Sequence, residues 1–344
     1  MRRPLLLGRV AQLGIGSTSS TNAPVRVDLG GWSEIAAAQD HTCATLSGGA
    51  RRCWGRNGSA QLGTGGTEDR SNTRPVDAPG GDPLWSTLAT GWFHTCGLTR
   101  DRQLACWGGN SRSASAEPLG VESVTRPKLV DDARDWAAVA AGGFHSCALK
   151  SDGSIWCWGM NESGELGLGD AADRADPAAI PMSGWTALGA GSFHTCAIRG
   201  DGELWCWGGG ANGQLGVGTR ASDDSSIPLR VEIGSLRAST QWRAIAGGMS
   251  HSCGLQDDGS LWCWGRNDHG QLGVGDTENR FEPARVDVPG KDEWIRIGAG
   301  REHTCAIRSD RSLWCWGENA NGQIGIGRDA NPITRPARVC LPAR

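Results

Sequence analysis

One hairpin pattern, written six times, constrains this chain more than any other feature. Its clearest copy runs from His145 to Gly159 and reads His-Ser-Cys-Ala-Leu-Lys-Ser-Asp-Gly-Ser-Ile-Trp-Cys-Trp-Gly. Every copy holds two cysteines ten residues apart, and together the copies account for twelve of the thirteen cysteines. The pairs are Cys43 and Cys53, Cys96 and Cys106, Cys147 and Cys157, Cys196 and Cys206, Cys253 and Cys263, and Cys305 and Cys315.

The loop of this hairpin predicts its geometry. Two short apolar runs flank residues 151–153, and a three-residue hairpin loop favours a last residue with positive φ, which glycine adopts without steric cost. Arg102 and Arg311 fill that position in two copies. In the other four copies it is filled by Gly49, Gly153, Gly202 and Gly259.

The register of the hairpin brings its two cysteines together. With Leu149 opposite Ile155, Cys147 lies opposite Cys157 at a non-hydrogen-bonded pair, where Cα atoms approach to about 4.5 Å. A disulfide tolerates about 4.4–6.8 Å. A zinc site built from the two cysteines and His145 offers three ligands where zinc usually takes four, and free thiols are the remaining alternative. We interpret the six pairs as structural disulfides, with no metal site.

Both faces of the hairpin are apolar. Because side chains alternate along a strand, His145, Cys147 and Cys157 share one face. Trp156 and Trp158 stand on the other face. A sheet with two apolar faces needs a neighbour on each side, and six such sheets form a stack or a closed ring. The sequence therefore predicts an all-β fold, a single β-propeller whose blades pack face to face.

The rest of each repeat supplies two more strands. A Trp-led apolar run precedes the hairpin, and a glycine-rich stretch, a variable loop and a Pro-led strand such as residues 283–286 follow it. Proline suits an outer edge strand because it removes one ladder donor. Four strands per repeat make one blade. The predicted blades cover residues 32–84, 85–135, 136–184, 185–241, 242–293 and 294–344, within one domain that begins with a partial blade at 1–31.

The first 31 residues match only half a repeat. Residues 8–16 match the glycine-rich stretch and residues 24–27 match the closing strand, whereas the apolar run and the cysteine hairpin are missing. We expect a true N-terminus upstream of Met1 that supplies the rest of a seventh blade and an export signal. A longer reading frame carrying His-x-Cys and Trp-Cys-Trp-Gly would support this expectation, and an in-frame stop immediately upstream would contradict it.

With this detail, the repeat resembles that of the regulator of chromosome condensation family. The shared pattern is Ala-Gly before His-Ser/Thr, an Asp-Gly turn, Trp-Gly, then Asn-x-x-Gly-Gln-Leu-Gly-x-Gly and a Pro-led strand, from Gly8 to Val339. Five glycine-rich stretches keep Gln-(Leu/Ile)-Gly, and a sixth has Glu165 in place of the glutamine. The second full repeat departs at residues 110–115 and keeps only residues 119–120 of the signature. The resemblance implies a seven-bladed propeller.

The same resemblance bears on function. The family includes a eukaryotic nuclear exchange factor for a small GTPase and a secreted bacterial inhibitor that binds β-lactamases. These proteins have in common the presentation of loops for protein binding, not one chemistry. The cysteine-rich composition of this chain makes it similar to the secreted bacterial type.

The recurring side chains favour packing over chemistry. A catalytic base is needed once, whereas one histidine fills the same position in all six hairpins, so we interpret the histidines as repeated packing elements. Paired indoles offer sugar-stacking platforms, but their alternation with cysteine places them between blades. The glycine-rich stretch lacks the lysine and the following helix of a phosphate-binding loop, and we interpret it as tight turns. The histidines are His41, His94, His145, His194, His251 and His303.

A few residues stand outside the repeat. Trp92 replaces a small residue close to His94, and we expect it to be exposed. His269 lies in a loop, where it is either solvated or in contact with a partner. The acidic residues at 170–176 and 223–224 lack the spaced ligands and central glycine of a calcium loop, so we interpret both segments as solvated.

Charge and composition exclude several classes of partner. The chain has 34 basic and 37 acidic residues without a basic or acidic tail, which argues against nucleic acid and membrane surfaces as partners. No stretch approaches the roughly 20 apolar residues of a membrane span, and residues 1–8 are too few for a signal peptide. The paired cysteines nevertheless favour an oxidising location, either extracellular, on the cell surface or periplasmic. We give the cysteines more weight than the missing signal.

The sequence thus predicts a non-enzymatic, monomeric protein-binding scaffold, exported and stapled by disulfides, with an unknown protein partner and no cofactor. The longest variable loops, at 109–125 and 218–227, are where we expect the partner to bind. The alternative is an intracellular guanine-nucleotide exchange factor or chromatin-associated regulator like the eukaryotic members. A propeller enzyme requires a site unique to one blade, and none is visible. Cys340 is unpaired in this register, and we expect it to pair with the missing segment or with another chain.

Overall fold

The computed structural model of the chain describes residues 5–6, 12–27, 31–76, 84–118, 120–218, 223–233, 241–290, 293–328 and 330–339. Within these ranges the chain consists of β-strands and loops, with a single 3₁₀ turn at Ser111–Ser113. No helix in this described part is long and apolar enough to cross a membrane.

Six four-stranded sheets form the blades of a β-propeller, and strands adjacent in sequence pair antiparallel within each blade. Blade 1 comprises β3 (Trp32–Ala37), β4 (His41–Leu46), β5 (Arg51–Gly55) and β6 (Arg70–Pro75). Blade 2 comprises β7 (Trp85–Thr90), β8 (His94–Thr99), β9 (Leu104–Gly109) and β10 (Ser123–Leu129). Blade 3 comprises β11 (Trp136–Ala141), β12 (His145–Lys150), β13 (Ile155–Gly159) and β14 (Arg174–Ala179).

The remaining three blades repeat this order. Blade 4 comprises β15 (Trp185–Ala190), β16 (His194–Arg199), β17 (Leu204–Gly208) and β18 (Ser225–Arg230). Blade 5 comprises β19 (Trp242–Gly247), β20 (His251–Gln256), β21 (Leu261–Gly265) and β22 (Arg280–Arg285). Blade 6 comprises β23 (Trp294–Ala299), β24 (His303–Arg308), β25 (Leu313–Gly317) and β26 (Ile333–Arg338). The predicted all-β propeller with six complete repeats is confirmed.

The central hairpin of each blade has the predicted register. In blade 3, Leu149 pairs with Ile155 and Cys147 pairs with Cys157. The cysteines of the other five hairpins face each other in the same way. The Cα atoms of each cysteine pair are 4.1 Å apart, the close approach of a non-hydrogen-bonded pair.

The two arginines in the glycine position of the hairpin loop adopt the glycine conformation. Arg102 has a φ of 60° and Arg311 has a φ of 67°, whereas Gly153 in the same position has a φ of 81°. The loop geometry is therefore kept in all three hairpins. The two arginines carry the steric cost of a left-handed backbone, which glycine avoids.

A short two-stranded piece precedes blade 1. It pairs β1 (Leu5–Leu6) with β2 (Val25–Arg26). Leu6 pairs with Val25, the residue after Pro24, just as Cys157 of β13 pairs with Ala178, the residue after Pro177. β1 therefore takes the place of the third strand of a blade. This strand was not predicted from the sequence of the first 31 residues, because two residues are too few to show a strand pattern in sequence.

This piece lies between blade 6 and blade 1. Gly327 N donates a 2.8 Å hydrogen bond to the Asn22 carbonyl, and Trp54 Nε1 of blade 1 donates a 2.6 Å bond to the Gln12 carbonyl. The described residues thus contain six four-stranded blades and one two-stranded piece. The expectation of a seven-bladed propeller is not supported, because no described strand occupies the two inner strand positions of a seventh blade.

Neighbouring blades pack unlike faces against each other. The cysteine face of blade 3, with Cys147, Leu149 and Cys157, contacts Trp207 of blade 4. Trp158 of blade 3 instead packs in the cluster formed by the cysteines of blade 2. Both indoles are fully buried. The prediction that these tryptophans lie between blades, on the face opposite the cysteines, is confirmed.

The same set of three hydrogen bonds recurs between each pair of consecutive complete blades. His145 Nε2 lies 2.9 Å from Thr195 Oγ1 of blade 4, and this hydroxyl donates to the Glu165 carbonyl of blade 3 at 2.9 Å. Trp207 Nε1 of blade 4 donates to the same carbonyl at 2.9 Å. We call this arrangement the interblade clasp. Equivalent clasps join blades 1 and 2, 2 and 3, 4 and 5, and 5 and 6.

The glycine-rich stretch forms one side of the clasp. Gly167 has a φ of 70°, and a Cβ placed on it would lie 2.8 Å from Trp207 Nε1. Leu166, directly before it, is fully buried. The Gln-Leu-Gly signature therefore supplies a carbonyl acceptor, a core side chain and a gap for an indole. The predicted tight turns account for the backbone conformation of this stretch and not for its contacts with the next blade.

Candidate binding face

The strand order places two kinds of loop on one face of the ring. In each blade the loop from the first to the second strand and the loop from the third to the fourth strand lie at the same end of the sheet, because consecutive strands are antiparallel. In blade 2 they touch through a 2.7 Å hydrogen bond from Gly109 N to the Phe93 carbonyl. We call this end of the ring the loop face.

Three consecutive blades place an aromatic ring at the same point of the loop face. The chain has four phenylalanines, and three of them, Phe93, Phe144 and Phe193, directly precede the repeated histidine of blades 2, 3 and 4. Trp92 lies beside them, and all four side chains are half-buried. We call these four residues the aromatic arc.

Trp92 connects the three blades of the aromatic arc. Its ring centroid lies 5.4 Å from that of Phe144 and 5.3 Å from that of Phe193, both with edge-to-face geometry. The residue of blade 3 that corresponds to Trp92 is Gly143, and a Cβ on Gly143 would lie 3.4 Å from Trp92 Cδ2 and 2.8 Å from the Ser192 carbonyl oxygen. The absence of a side chain at Gly143 lets the indole lie across blade 3.

The central channel opens on the loop face. A cavity of about 230 Å³ lies at this opening, and alanines and glycines from the ends of the first strands form its walls. Polar, apolar and basic side chains form its rim, and none of the described lining residues is an aspartate, glutamate or histidine. The rim residues are Gln39, Trp92, Ser192, Met249 and Arg301.

The side of the loop face opposite the aromatic arc is charged. Glu302 of blade 6 lies 3.5 Å from Arg266 Nη1 and 4.0 Å from His269 Nε2. Burial and the nearby Glu302 carboxylate raise the pKa of Glu318. On blade 1, Asp40 lies 3.3 Å from Arg56. One half of the loop face is therefore aromatic and the other half carries paired charges.

The variable loop at 109–125 borders the aromatic arc. Arg112 adopts a φ of 65° and pairs with Glu162 and Asp173 of blade 3. The departure from the repeat signature at 110–115 keeps the interblade clasp, because the Ala114 carbonyl accepts the indole N–H of Trp158 at 3.1 Å. The sequence pattern placed the remnant of the signature at residues 119–120, whereas the carbonyl that accepts the indole N–H belongs to Ala114.

The second variable loop, at 218–227, is described only at its ends, and residues 219–222 lie outside the described ranges. Ile227 at its end is one of the exposed large hydrophobic residues, with 51% of its surface accessible. It lies on β18, an outer strand, away from the channel opening.

The cysteines at the predicted positions are bonded in pairs ten residues apart. The pairs are Cys43–Cys53, Cys96–Cys106, Cys147–Cys157, Cys196–Cys206, Cys253–Cys263 and Cys305–Cys315. Eleven of the twelve cysteines are buried, and Cys305 is partly buried. Cys340 lies outside the described residues.

The repeated histidines are held neutral. Burial lowers the pKa of His41, His145 and His251 to about 3 and the pKa of His94, His194 and His303 to about 4. A group with such a pKa does not exchange protons near neutral pH. Five of the six form the interblade clasp. His303 has no hydrogen-bond partner among the described residues, since the clasp beyond blade 6 would need the inner strands of another blade.

Other residues singled out in the sequence have structural contacts. Asp170 pairs with Arg174 at 2.6 Å, and Asp173 accepts the backbone N–H of Asn161 at 2.9 Å. His269 is half-exposed beside Glu302. Across the described part of the chain, no group of three or more His, Cys, Asp or Glu side chains is placed to hold a metal ion.

The aromatic arc was missed in the sequence, apart from the prediction for Trp92. That residue is half-buried by the phenylalanines and not freely exposed. The signal that could have found the arc is the clustering of three of four phenylalanines at one repeat position in three consecutive repeats. It becomes meaningful only when consecutive repeats are known to be neighbours in a ring.

Comparison with protein families identifies the repeat. A family model described as the regulator of chromosome condensation (RCC1) repeat matches residues 152–198, 201–255 and 258–307. A second model with the same description matches residues 85–113, 136–165, 185–214, 242–271 and 294–323. The two models together match at least part of every blade except blade 1.

Similar proteins agree with this match. The chain is 30% identical over 330 residues to the ultraviolet-B receptor UVR8 of Arabidopsis thaliana, covering 94% of this chain and 74% of UVR8. It is 28% identical to the mitochondrial RCC1 domain-containing protein RUG3 of the same plant, covering 89% of this chain and 58% of RUG3. The structure of Prp20p from Saccharomyces cerevisiae superposes with a TM-score of 0.84 at 20% identity, covering 99% of this chain and 87% of Prp20p, and shows the shared fold. The chain belongs to the regulator of chromosome condensation repeat family.

Proposed function

We propose that this chain is a non-enzymatic, monomeric scaffold that binds a protein partner through its loop face. The observation that carries the proposal is the aromatic arc, in which Trp92 bridges Phe144 and Phe193 beside a channel opening lined mostly by alanines and glycines. Half-buried aromatic side chains with edges open to solvent are enriched at protein interfaces, where they supply much of the binding energy. The charged half of the same face favours one orientation of the partner.

The proposal includes export to an oxidising location, extracellular, on the cell surface or periplasmic. Its support is the set of six intramolecular disulfides, which persist in such compartments and are rare in the cytosol. Each closes a short local loop, so each blade is stapled independently of the others.

The proposal of a scaffold without catalysis is supported by the kind of site that the structure offers. The described lining of the channel opening has no acid or histidine that could transfer a proton, and the repeated histidines are neutral and occupied by packing. Binding of nucleic acid is disfavoured by the net charge of −3 and by the pairing of most loop-face arginines with carboxylates, because phosphate binding needs free cations.

A site-specific photocrosslinker tests the proposed binding face. Benzoylphenylalanine in place of Phe193, on the aromatic arc, is expected to capture a protein in the native cells, whereas the same group in place of Ile227, on the outer strand, is not. The captured protein, once purified, should bind the wild type at least about tenfold more tightly than Phe193→Ser, with Ile227→Ser as the matched control. Equal affinity for both variants would contradict the assignment of the face.

An intracellular exchange factor or chromatin-associated regulator remains the alternative function. The observation in its favour is the likeness to Prp20p, whose structure was determined together with its binding properties to Gsp1p and histones. Faster release of a labelled guanine nucleotide from a small GTPase, or binding to histones, in the presence of this chain would favour the alternative. No acceleration and no binding are the results expected for an exported scaffold.

A further inference from the structure

The cavity at the channel opening is small. Its volume of about 230 Å³ lies below the range of about 300–1,000 Å³ in which drug-sized ligands and cofactors are bound. Alanines and glycines supply most of the walls, so backbone polar groups and methyl groups both face the space, and Thr90 adds a hydroxyl. The space is large enough for one bulky side chain that a partner inserts from outside.

The rim of this cavity has an apolar side. The indole of Trp92 is fixed by its edge-to-face contacts with Phe144 and Phe193, so ordering it costs little on binding. Met249 lies on the rim as well, and a methionine side chain adapts its shape to an inserted aromatic or aliphatic group.

The rim also has a basic side. Arg301 is exposed, and its Nε lies 3.3 Å from Met249 Sδ. No ion pair joins Arg301 to a described residue, in contrast to Arg56, Arg112 and Arg266 on the same face. A guanidinium binds a carboxylate through two parallel hydrogen bonds. Arg301 acts on the Glu318 carboxylate at longer range and counteracts the rise of its pKa, but no described carboxylate lies within ion-pair distance of Arg301. Its guanidinium therefore favours an acidic group at this end of the cavity.

We propose that the channel opening recognises a protein loop that carries an aromatic or large aliphatic side chain next to an aspartate or glutamate. The apolar side chain enters the cavity between Trp92 and Met249, and the carboxylate binds Arg301. A basic neighbour is disfavoured, because Arg301 repels it and the described lining has no carboxylate to compensate. This inference rests on the proposed function and specifies the chemistry of the partner.

A phage-displayed library of random cyclic peptides tests the recognition rule without a known partner. Peptides selected on the wild-type chain are expected to share a large apolar residue adjacent to Asp or Glu. Their affinity should fall at least about tenfold for Trp92→Ser and for Arg301→Glu, and should be unchanged for the control Ile227→Ser. Selection on Arg301→Glu should instead enrich Lys or Arg beside the apolar residue.

The possible contrary results are distinct. Peptides with basic neighbours, peptides insensitive to both rim variants, or no enrichment at all would overturn the inference. Peptides that bind elsewhere on the chain would leave the proposed scaffold function intact while removing this site. Self-association of the wild type that Trp92→Ser abolishes, measured by light scattering, would identify a second copy as the occupant and would also overturn it. Because Arg301 is exposed, its variant keeps the test decisive even if Trp92→Ser fails to fold.

Discussion

His145 Nε2 lies 2.9 Å from Thr195 Oγ1 in the next blade. The threonine hydroxyl gives its one proton to the Glu165 carbonyl, so it accepts from the histidine, which must carry a proton on Nε2. Nδ1 is buried and has no partner. A second proton there would place an unpaired charge in the core, and this burial lowers the pKa of His145 to about 3.

This relationship predicts that the protein loses stability in acid. An unfolded histidine titrates near 6.5 and folded His145 near 3, so the unfolded state takes up protons first as the pH falls below 6.5. The stability is complete above that pH and is lost on the way down to 3. At pH 5 the loss is about 2 kcal/mol for this histidine. His145→Gln should show a correspondingly smaller decrease in unfolding free energy between pH 7 and pH 5 in urea titrations. An equal decrease in the variant and the wild type would contradict the prediction.

Glu165 predicts the opposite dependence on pH. It is fully buried, its Oε1 has no hydrogen-bond partner, and burial raises its pKa from 4.5 to about 7. The stability associated with its neutral form is present below pH 4.5 and is lost as the pH rises to 7. Glu165→Gln should therefore stabilise the protein at pH 8 by up to about 3 kcal/mol and have little effect at pH 4.5. The exposed Glu278→Gln is the control, and an equal effect of Glu165→Gln at both pH values would refute the assignment.

Substitutions at Gly167 and Gly169, two glycines of one stretch, separate the cost of backbone strain from the cost of lost packing space. Gly167 and Gly169 have φ of 70° and 88°, so alanine at either position costs roughly 1–2 kcal/mol in strain. Only at Gly167 does the added Cβ meet Trp207, at 2.8 Å from Nε1, whereas nothing lies within 4 Å at Gly169. We expect Gly167→Ala to lower the free energy of unfolding by about 1–3 kcal/mol more than Gly169→Ala. Equal losses, measured by thermal unfolding, would show that the indole does not need this space.

Removal of one disulfide should weaken one blade measurably. Cys147 and Cys157 close a loop with a sequence separation of 10, which constrains the unfolded chain by about 2–3 kcal/mol in the entropy model. Cys147→Ala with Cys157→Ala should lower the unfolding free energy by that amount in oxidising buffer. The difference from the wild type should disappear in a strong reductant. A variant as stable as the wild type in both buffers would rule out a stabilising bond.

The sequence predicted the parts of the fold that depend on local spacing. A period of two along a strand and a separation of ten between cysteines were enough to place Cys147 opposite Cys157 and to put Trp158 on the other face. The positive φ expected at the end of the hairpin loop is found even where Arg102 replaces glycine. These features need no knowledge of how blades contact each other.

Features that depend on contacts between blades could not be predicted in the same way. The Gln-Leu-Gly stretch at 214–216 has its sequence because Trp264 of the next blade packs on it, and that neighbour lies far along the chain. Gly143 is required by Trp92, which belongs to the preceding repeat. The cavity at the channel opening collects residues from all six blades. Such sites become visible only when the ring is assembled.

The oxidation state of the cysteines tests the central claim, an exported scaffold with one disulfide staple in each blade, most directly. Protein from its native cells is denatured and alkylated at lysis without reductant. The alkylated cysteines are then counted by mass spectrometry. We predict at most one alkylated cysteine per chain, Cys340 where it has found no partner, with the twelve others in pairs ten residues apart. Alkylation of all thirteen cysteines would contradict the staples and would favour an intracellular protein.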